Sequence, residues 1–217
     1  MPNFYELKKF YREFLDKCCE DGLSFFETGD VHDLTQWGVR VHKKNPDWVS
    51  AEWGMTKFVL WENTKPYVLK IPFRGKMTFK DQDYCRIELR NYFRAYETPI
   101  EDCFAWVDYL FEYHGCPIYI MEKVECDEER TESRAFSAYC SHSLSYLCGD
   151  ISQEDMYDYF DDSNDRERMI GLLTEEWGEE KAENFLDFCS ENNINDLHSG
   201  NFGYRNGMLV IIDYSGF

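Results

Sequence analysis

Basic residues are scarce in this chain: 23 Lys and Arg stand against 42 Asp and Glu, a formal charge of −19 over 217 residues. Such a surface repels phosphate backbones and anionic lipid, which argues against general nucleic-acid or membrane binding. No run of about eighteen apolar residues occurs, so no transmembrane helix is predicted. The opening MPNFYELKKFYREFLDKCCE is charged throughout and lacks the apolar core of a signal peptide, so the expected location is cytoplasmic. None of the nine cysteines shows CxxC spacing, and Cys18 and Cys19 are adjacent, a poor arrangement for one metal ion. Reduced thiols in a cytosol are the simplest account. Proline is absent between residues 127 and 193, which favours uninterrupted helices there.

What is present is ample apolar and aromatic material, 43% and 18% of the chain, enough for one domain or two closely joined lobes. Phe4, Leu7, Phe10, Tyr11, Phe14 and Leu15 recur at helical spacing and predict an amphipathic helix over 3–19. A short strand is expected around Trp37–Val41. Residues 57–61 and 67–71 read as an antiparallel pair turning at Asn63–Pro66. A helix follows over 81–97, with Tyr84, Ile87, Leu89, Tyr92, Phe93 and Tyr96 as its apolar stripe. Residues 104–107 and 118–121 read as two more strands. Helices are predicted at about 133–148, 152–160, 164–175 and 179–192. A closing hairpin over 202–213 turns at Asn206-Gly207, a strong hairpin dipeptide. The pattern is a β-rich first half (residues 1–125, with the 3–19 helix as an extension), followed by a mainly helical second half (126–217).

The last stretch, INDLHSGNFGYRNGMLVIIDYSGF, carries the most chemistry. Asp196 and Asn201 share a Gly-containing loop, and Asp213 follows behind the apolar run Met208–Ile212. A loop carboxylate, an amide and a second carboxylate at the end of a hairpin can converge on one Mg-nucleotide, because Mg²⁺ favours hard oxygen ligands. Taken singly, each residue has a plainer account. Asp196 and Asn201 favour helix ends and turns, Lys70 a solvated strand edge, and Glu88 an exposed helix face.

Taken together, these residues resemble the protein-kinase-like superfamily. Asp196-Leu197-His198-Ser199-Gly200-Asn201 is similar to the catalytic loop of aminoglycoside phosphotransferases, and Asp213-Tyr214-Ser215-Gly216 to the Asp-Phe-Gly segment. Tyr67-Val68-Leu69-Lys70 resembles the Val-Ala-Ile-Lys strand, with Glu88 where the partner glutamate of the following helix stands. Ile120-Met121-Glu122-Lys123-Val124 resembles the fifth strand and hinge. The likeness covers roughly residues 48–217, and implies a bilobal fold with an antiparallel-sheet N-lobe and a reduced helical C-lobe. It also implies an ATP- and Mg²⁺-dependent phosphotransferase acting on a protein Ser/Thr or a small hydroxyl acceptor. Asp196 would take the acceptor's proton, Lys70 would contact the α- and β-phosphates, and Glu88 would hold Lys70. Asn201 and Asp213 would hold the metal. Gly54 would lie against the phosphates, Met121 would be the gatekeeper, and backbone groups around Glu122 and Val124 would receive adenine. His198 would brace the loop.

Two departures qualify the likeness. Only Gly54 remains of a glycine-rich phosphate loop, in the segment Val49-Ser50-Ala51-Glu52-Trp53-Gly54. The sequence also stops four residues after Asp213, as in compact kinase-like proteins of bacteriophages and their hosts. A protein acceptor would then be held by the acidic region 127–193 or by a partner. Three alternatives stay open: a pseudokinase working through protein contacts, an AMPylating enzyme of the same fold, and an unrelated acidic α+β protein whose motif match is accidental.

Overall fold

Asn3 accepts a hydrogen bond from the Tyr5 N–H at 3.1 Å and so caps helix α1 (Phe4–Cys18). The computed structural model describes residues 3–20, 26, 31–54, 56–74, 82–126, 171, 173–194 and 199–216. Two compact units are distinguished: Met1–Leu89 with Trp106–Lys123, and Arg90–Ala105 with Val124–Phe217. The fold is α+β, with an antiparallel sheet and several helices.

In the first unit, α1 buries Tyr11, Phe14 and Leu15 of the predicted stripe together with Cys18, while Phe4, Leu7 and Phe10 are half-buried. Helix α2 (Val31–Lys44) replaces the strand expected at Trp37–Val41. Alternating Trp37, Val39 and Val41 suggest a period of two, yet the buried set is Leu34, Trp37 and Val41, which is helical. Gly38 permits this helix to lie close to the sheet, since a Cβ there would collide with the Phe58 ring.

Five strands follow in the spatial order β1-β2-β3-β5-β4, all antiparallel. They are β1 (Val49–Trp53), β2 (Lys57–Glu62), β3 (Tyr67–Pro72), β4 (Val107–Tyr113) and β5 (Cys116–Glu122). Val49–Trp53, expected as a phosphate-covering loop, is therefore itself a strand, pairing Glu52 with Val59 and Trp53 with Phe58. Side-chain alternation gives the sheet two distinct faces. Phe58, Leu60, Leu69, Ile71, Ile118 and Ile120 line one face and join the core with α1 and α2. Each large apolar side chain fully buried in it contributes about 1.5–3 kcal/mol. The other face carries Val59, Lys70 and Tyr119, directly opposite one another in register, with Lys57 two residues from Val59.

Helix α3 (Tyr84–Ala95) lies within the predicted 81–97 segment, but its buried face is rotated from the expected stripe. Phe93 and Tyr96 are exposed, whereas Tyr84, Cys85, Glu88, Asn91, Tyr92 and Ala95 are buried. The polar pair Glu88 and Asn91 turns inward because each finds a buried partner.

The strand expected at 104–107 begins only at Val107, because Phe104 and Ala105 belong to the second unit and meet Ile211 there. In that unit Phe104 packs among Phe185, Phe188 and Tyr214, with ring centroids 5.1–5.6 Å apart. Helix α4 (Glu179–Glu191) matches the predicted 179–192 segment. The hairpin β6 (Phe202–Arg205) and β7 (Met208–Ile211) turns at Asn206-Gly207, both at positive φ, as a type I′ turn requires. Helices expected at 133–148 and 152–160 lie outside the described residues; of 164–175, residues 171 and 173–175 are described and helical.

Candidate functional site

Lys70 lies on β3, which is hydrogen-bonded on both sides, by β2 and β5. Its backbone is thereby fixed, and its ammonium meets both carboxylate oxygens of Glu88 at 3.0 Å. A second lysine, Lys57, reaches Glu88 Oε1 at 2.5 Å. All three are buried, Glu88 completely. A buried carboxylate persists only when paired and hydrogen-bonded, and two ammonium groups meet that requirement here.

The helix holding Glu88 is anchored at its start. Asp83 Oδ1 accepts from the Arg86 N–H at 2.9 Å, a side-chain N-cap, while Oδ2 accepts from the Tyr119 hydroxyl at 2.6 Å. Tyr119 is the residue opposite Lys70 in the β3–β5 register. One carboxylate thus joins the first turn of α3 to the strand beside Lys70. Burial, reinforced by the Asp83 hydrogen bond, pushes the Tyr119 hydroxyl pKa well above its ordinary value. Burial also pushes the Cys85 thiol well up, opposed by Lys57 and Lys70, so Cys85 stays a protonated neighbour of the cluster.

Met121, the expected gatekeeper, is buried on β5. The Glu122 N–H donates to the Trp106 carbonyl at 3.0 Å, and its Oε1 accepts from the Trp106 N–H at 2.7 Å. The Lys123 N–H donates to the Pro66 carbonyl at 2.8 Å. Two of the N–H groups in the expected hinge are thus engaged within the first unit. Val124, in the second unit, packs against Gly203, where a Cβ would clash with its methyl. Gly54 sits in the short β1–β2 connection and donates to the Lys57 carbonyl at 3.1 Å.

In the second unit, α4 ends in a Schellman arrangement. Asn193 takes positive φ, and the Ile194 N–H reaches back to the Cys189 carbonyl at 2.9 Å. Asp196 and His198, expected next in the chain, lie outside the described residues. Asn201 is buried and closes the short 3₁₀ turn Ser199–Asn201. Its carbonyl accepts from the Ile212 N–H at 2.8 Å, extending the hairpin ladder by one bond and bringing the Asn201 backbone beside the residue preceding Asp213.

Asp213 is half-buried, and its Oδ1 accepts from the Ser215 hydroxyl at 3.0 Å. The residues after it are held firmly. The Tyr214 hydroxyl donates to the Ala105 carbonyl at 2.7 Å, and the Tyr214 carbonyl accepts from Asn91 Nδ2 at 2.8 Å. Gly216 has φ +67° and approaches the Asn193 carbonyl so closely that no side chain fits.

Lys70 and Glu88 are therefore brought together in one unit, and the backbones flanking Asn201 and Asp213 in the other. Sequence reasoning missed Lys57, the Asp83–Tyr119 pair and Asn91. The register of the 57–61/67–71 hairpin is the signal that would have placed Lys57 on the face of Lys70. No local pattern marks the other three. Among the described residues no three His, Cys, Asp or Glu side chains group as a metal site. One carboxylate with one amide oxygen suits Mg²⁺, which keeps waters and takes phosphate oxygens rather than a complete protein cage. A cavity of about 220 Å³ lined by Lys17, Trp37, Arg40 and Trp48 lies on α1 and α2, which cover the sheet face opposite Lys70.

No protein-family model, no curated protein and no solved structure matches the chain.

Proposed function

We propose that the protein is a kinase-like phosphotransferase that uses ATP and Mg²⁺ to phosphorylate a protein Ser/Thr or a small hydroxyl compound. The observation that carries this reading is the buried Lys70–Glu88 pair, with Lys70 bonded to both carboxylate oxygens. A strand lysine held by a helix glutamate is what positioning a nucleotide's α- and β-phosphates requires. The strand of Lys70, the helix of Glu88 and the strand ending at Glu122 also follow in the order a kinase-like N-lobe needs. In this reading Asn201 and Asp213 would hold Mg²⁺, which would supply charge neutralisation for the phosphates. Asp196 accepts the proton of the acceptor hydroxyl as it attacks the γ-phosphorus. The bilobal arrangement belongs to the same proposal.

Mg-ATP is expected to raise the melting temperature, and Asp213→Ala to abolish the rise. Label from γ-labelled ATP on protein or an added acceptor supports phosphoryl transfer, whereas α-label on protein points to AMPylation. Equal melting with and without millimolar Mg-ATP would remove the nucleotide from this account.

One observation favours a second reading, a pseudokinase working through protein contacts. The β1–β2 connection holds a single glycine, Gly54, because Val49–Trp53 is consumed by a strand. The Gly54 N–H is engaged by the Lys57 carbonyl rather than presented to phosphate. Nucleotide stabilisation without transfer of either label is the outcome this reading expects.

A further inference from the structure

We propose that the cavity lined by the C-terminal turns of α1 and α2 binds a small aromatic phosphate, a single planar ring carrying a phosphate monoester. The site lies in the first unit, on the helices that cover the sheet face opposite Lys70, so it stands apart from the phosphotransferase reading. Its volume is about 220 Å³, below the roughly 300–1,000 Å³ of pockets for drug-sized ligands, which suits one ring.

Helical spacing builds the α2 side of the cavity. Trp37, Arg40, Val41 and Lys44 stand at i, i+3, i+4 and i+7 and so share one face of the helix. Trp37 and Val41 are buried and form an apolar floor, while Arg40 and Lys44 are exposed at the rim. The half-buried Trp48 supplies a second indole, and hydrogen bonds fix its orientation. Its Nε1–H donates to Asn45 Oδ1 at 3.0 Å, and Asn45 Nδ2 donates to the Val41 carbonyl at 3.1 Å. The Trp37 ring is likewise held, against Phe26 and Phe58 at centroid distances of 5.4 and 5.8 Å. Two anchored indoles offer a planar ring apolar and edge-to-face contacts without the cost of ordering them on binding.

Charge around these rings is opposite in sign to that of the chain. Lys17 holds its ammonium 3.8 Å from the Trp48 ring centroid, a cation–π contact. Lys17, Arg40 and Lys44 stand against one carboxylate among the described lining residues, Glu20, a local positive excess in a chain of formal charge −19. Helix C-termini attract cations, which accounts for Lys17 and Lys44, each in the last turn of its helix. It does not account for Arg40, a turn earlier, or for the gathering of all three around two indoles. Among the described residues neither Lys17 nor Arg40 meets a carboxylate within ion-pair distance. A guanidinium presents a planar fork of donors to phosphate, and a monoester carries a charge of about −1.5 to −2 at pH 7, which the three cations match after Glu20 is counted. The floor takes the ring and the rim takes the phosphate.

The test is calorimetric titration of the full chain with phenyl phosphate, beside inorganic phosphate and benzyl alcohol as the anion and the ring alone. Phenyl phosphate is expected to bind saturably, and each separate component at least tenfold more weakly. Arg40→Gln should weaken phenyl phosphate about tenfold and Lys44→Gln about threefold. Both side chains are exposed, so the melting temperatures of these variants should stay close to that of the parent chain. Excess Mg²⁺ with a non-hydrolysable ATP analogue should leave phenyl phosphate binding unchanged.

Absence of saturable binding up to about 10 mM, far weaker than a specific site requires, would overturn the inference. Equal binding of inorganic phosphate or of benzyl alcohol would overturn it as well, since ring or charge would then go unrecognised. Unchanged binding by both variants, or displacement by the ATP analogue, would put the phosphate elsewhere on the molecule and refute the site. None of these outcomes bears on the phosphotransferase reading, which the Mg-ATP melting experiment decides.

Discussion

Tyr119 donates its hydroxyl to Asp83 at 2.6 Å, and the other oxygen of the same carboxylate caps the helix that carries Glu88. The position of Glu88 therefore depends on a bond made five residues earlier. Asp83→Asn keeps an N-cap oxygen, while Asp83→Ala removes both bonds. Asp83→Ala is expected to destabilise the fold by about 1–2 kcal/mol more than Asp83→Asn. Urea denaturation of the two variants measures the difference, and equal midpoints would show that Asp83 does not anchor the helix.

Glu88 accepts from both buried lysines, Lys57 and Lys70. Glu88→Ala leaves two buried ammonium groups side by side, a loss of about 3–5 kcal/mol by comparison with other broken buried pairs. Lys57→Met keeps the bond of Lys70 to both Glu88 oxygens and is expected to cost much less. Reversal of that order in chemical denaturation would contradict the charge arrangement described above.

Gly216 combines a left-handed backbone with a close approach to the Asn193 carbonyl. Gly216→Ala is expected to cost about 1–3 kcal/mol, since it adds both backbone strain and a collision. The damage should reach the Asp213 segment and, if the proposed nucleotide site is there, reduce stabilisation by Mg-ATP as well. Gly54→Ala, where a Cβ meets open space and φ is not positive, is the control expected to leave stability nearly unchanged.

Buried thiols make stability fall in alkali. Burial pushes Cys116 up to about 11, and Cys18, Cys19 and Cys103 up to about 12. The unfolded chain releases these protons near pH 8.5–9, while the folded chain keeps them. Their contribution is thus complete below about pH 8.5 and is lost as pH rises through 9 towards 12. Each such thiol contributes a slope of up to about 1.4 kcal/mol per pH unit above pH 9. Urea midpoints at pH 8 and pH 10 should differ accordingly, with a shallower dependence in Cys103→Ala. A flat profile would refute the assignment.

Thiol reactivity gives an independent check on the same burial. Of the seven described cysteines only Cys126 is exposed. Brief alkylation at pH 8 followed by peptide mapping should modify Cys126 well before Cys18, Cys19, Cys85, Cys103, Cys116 or Cys189. Early modification of Cys85 would show that the lysine cluster opens readily.

Local pattern made several elements legible. The stripe of Phe10, Tyr11, Phe14 and Leu15 marks α1, and Asn206-Gly207 marks the β6–β7 turn, because helical spacing and positive-φ turn residues are short-range properties. Lys70 and Glu88 were singled out by resemblance, with no residue near either in sequence indicating burial. Helix α2 was misread because Trp37, Val39 and Val41 satisfy a period of two as well as they satisfy part of a helical period. Only contact with Phe58 at Gly38 shows which period governs.

The amino-acid sequence by itself determined α1, the β2–β3 and β6–β7 hairpins and the strongly acidic composition, since these depend on composition and short-range spacing, while Lys70, Glu88, Asn201 and Asp213 became candidates through resemblance. Tertiary structure alone decided that Glu88 and Asn91 face inward from α3, that Lys57 joins Lys70 on one carboxylate, and that Tyr119 anchors Asp83. The physical reason is the same in each case. A polar side chain is buried only when a partner distant in sequence satisfies it, and packing determines where that partner stands.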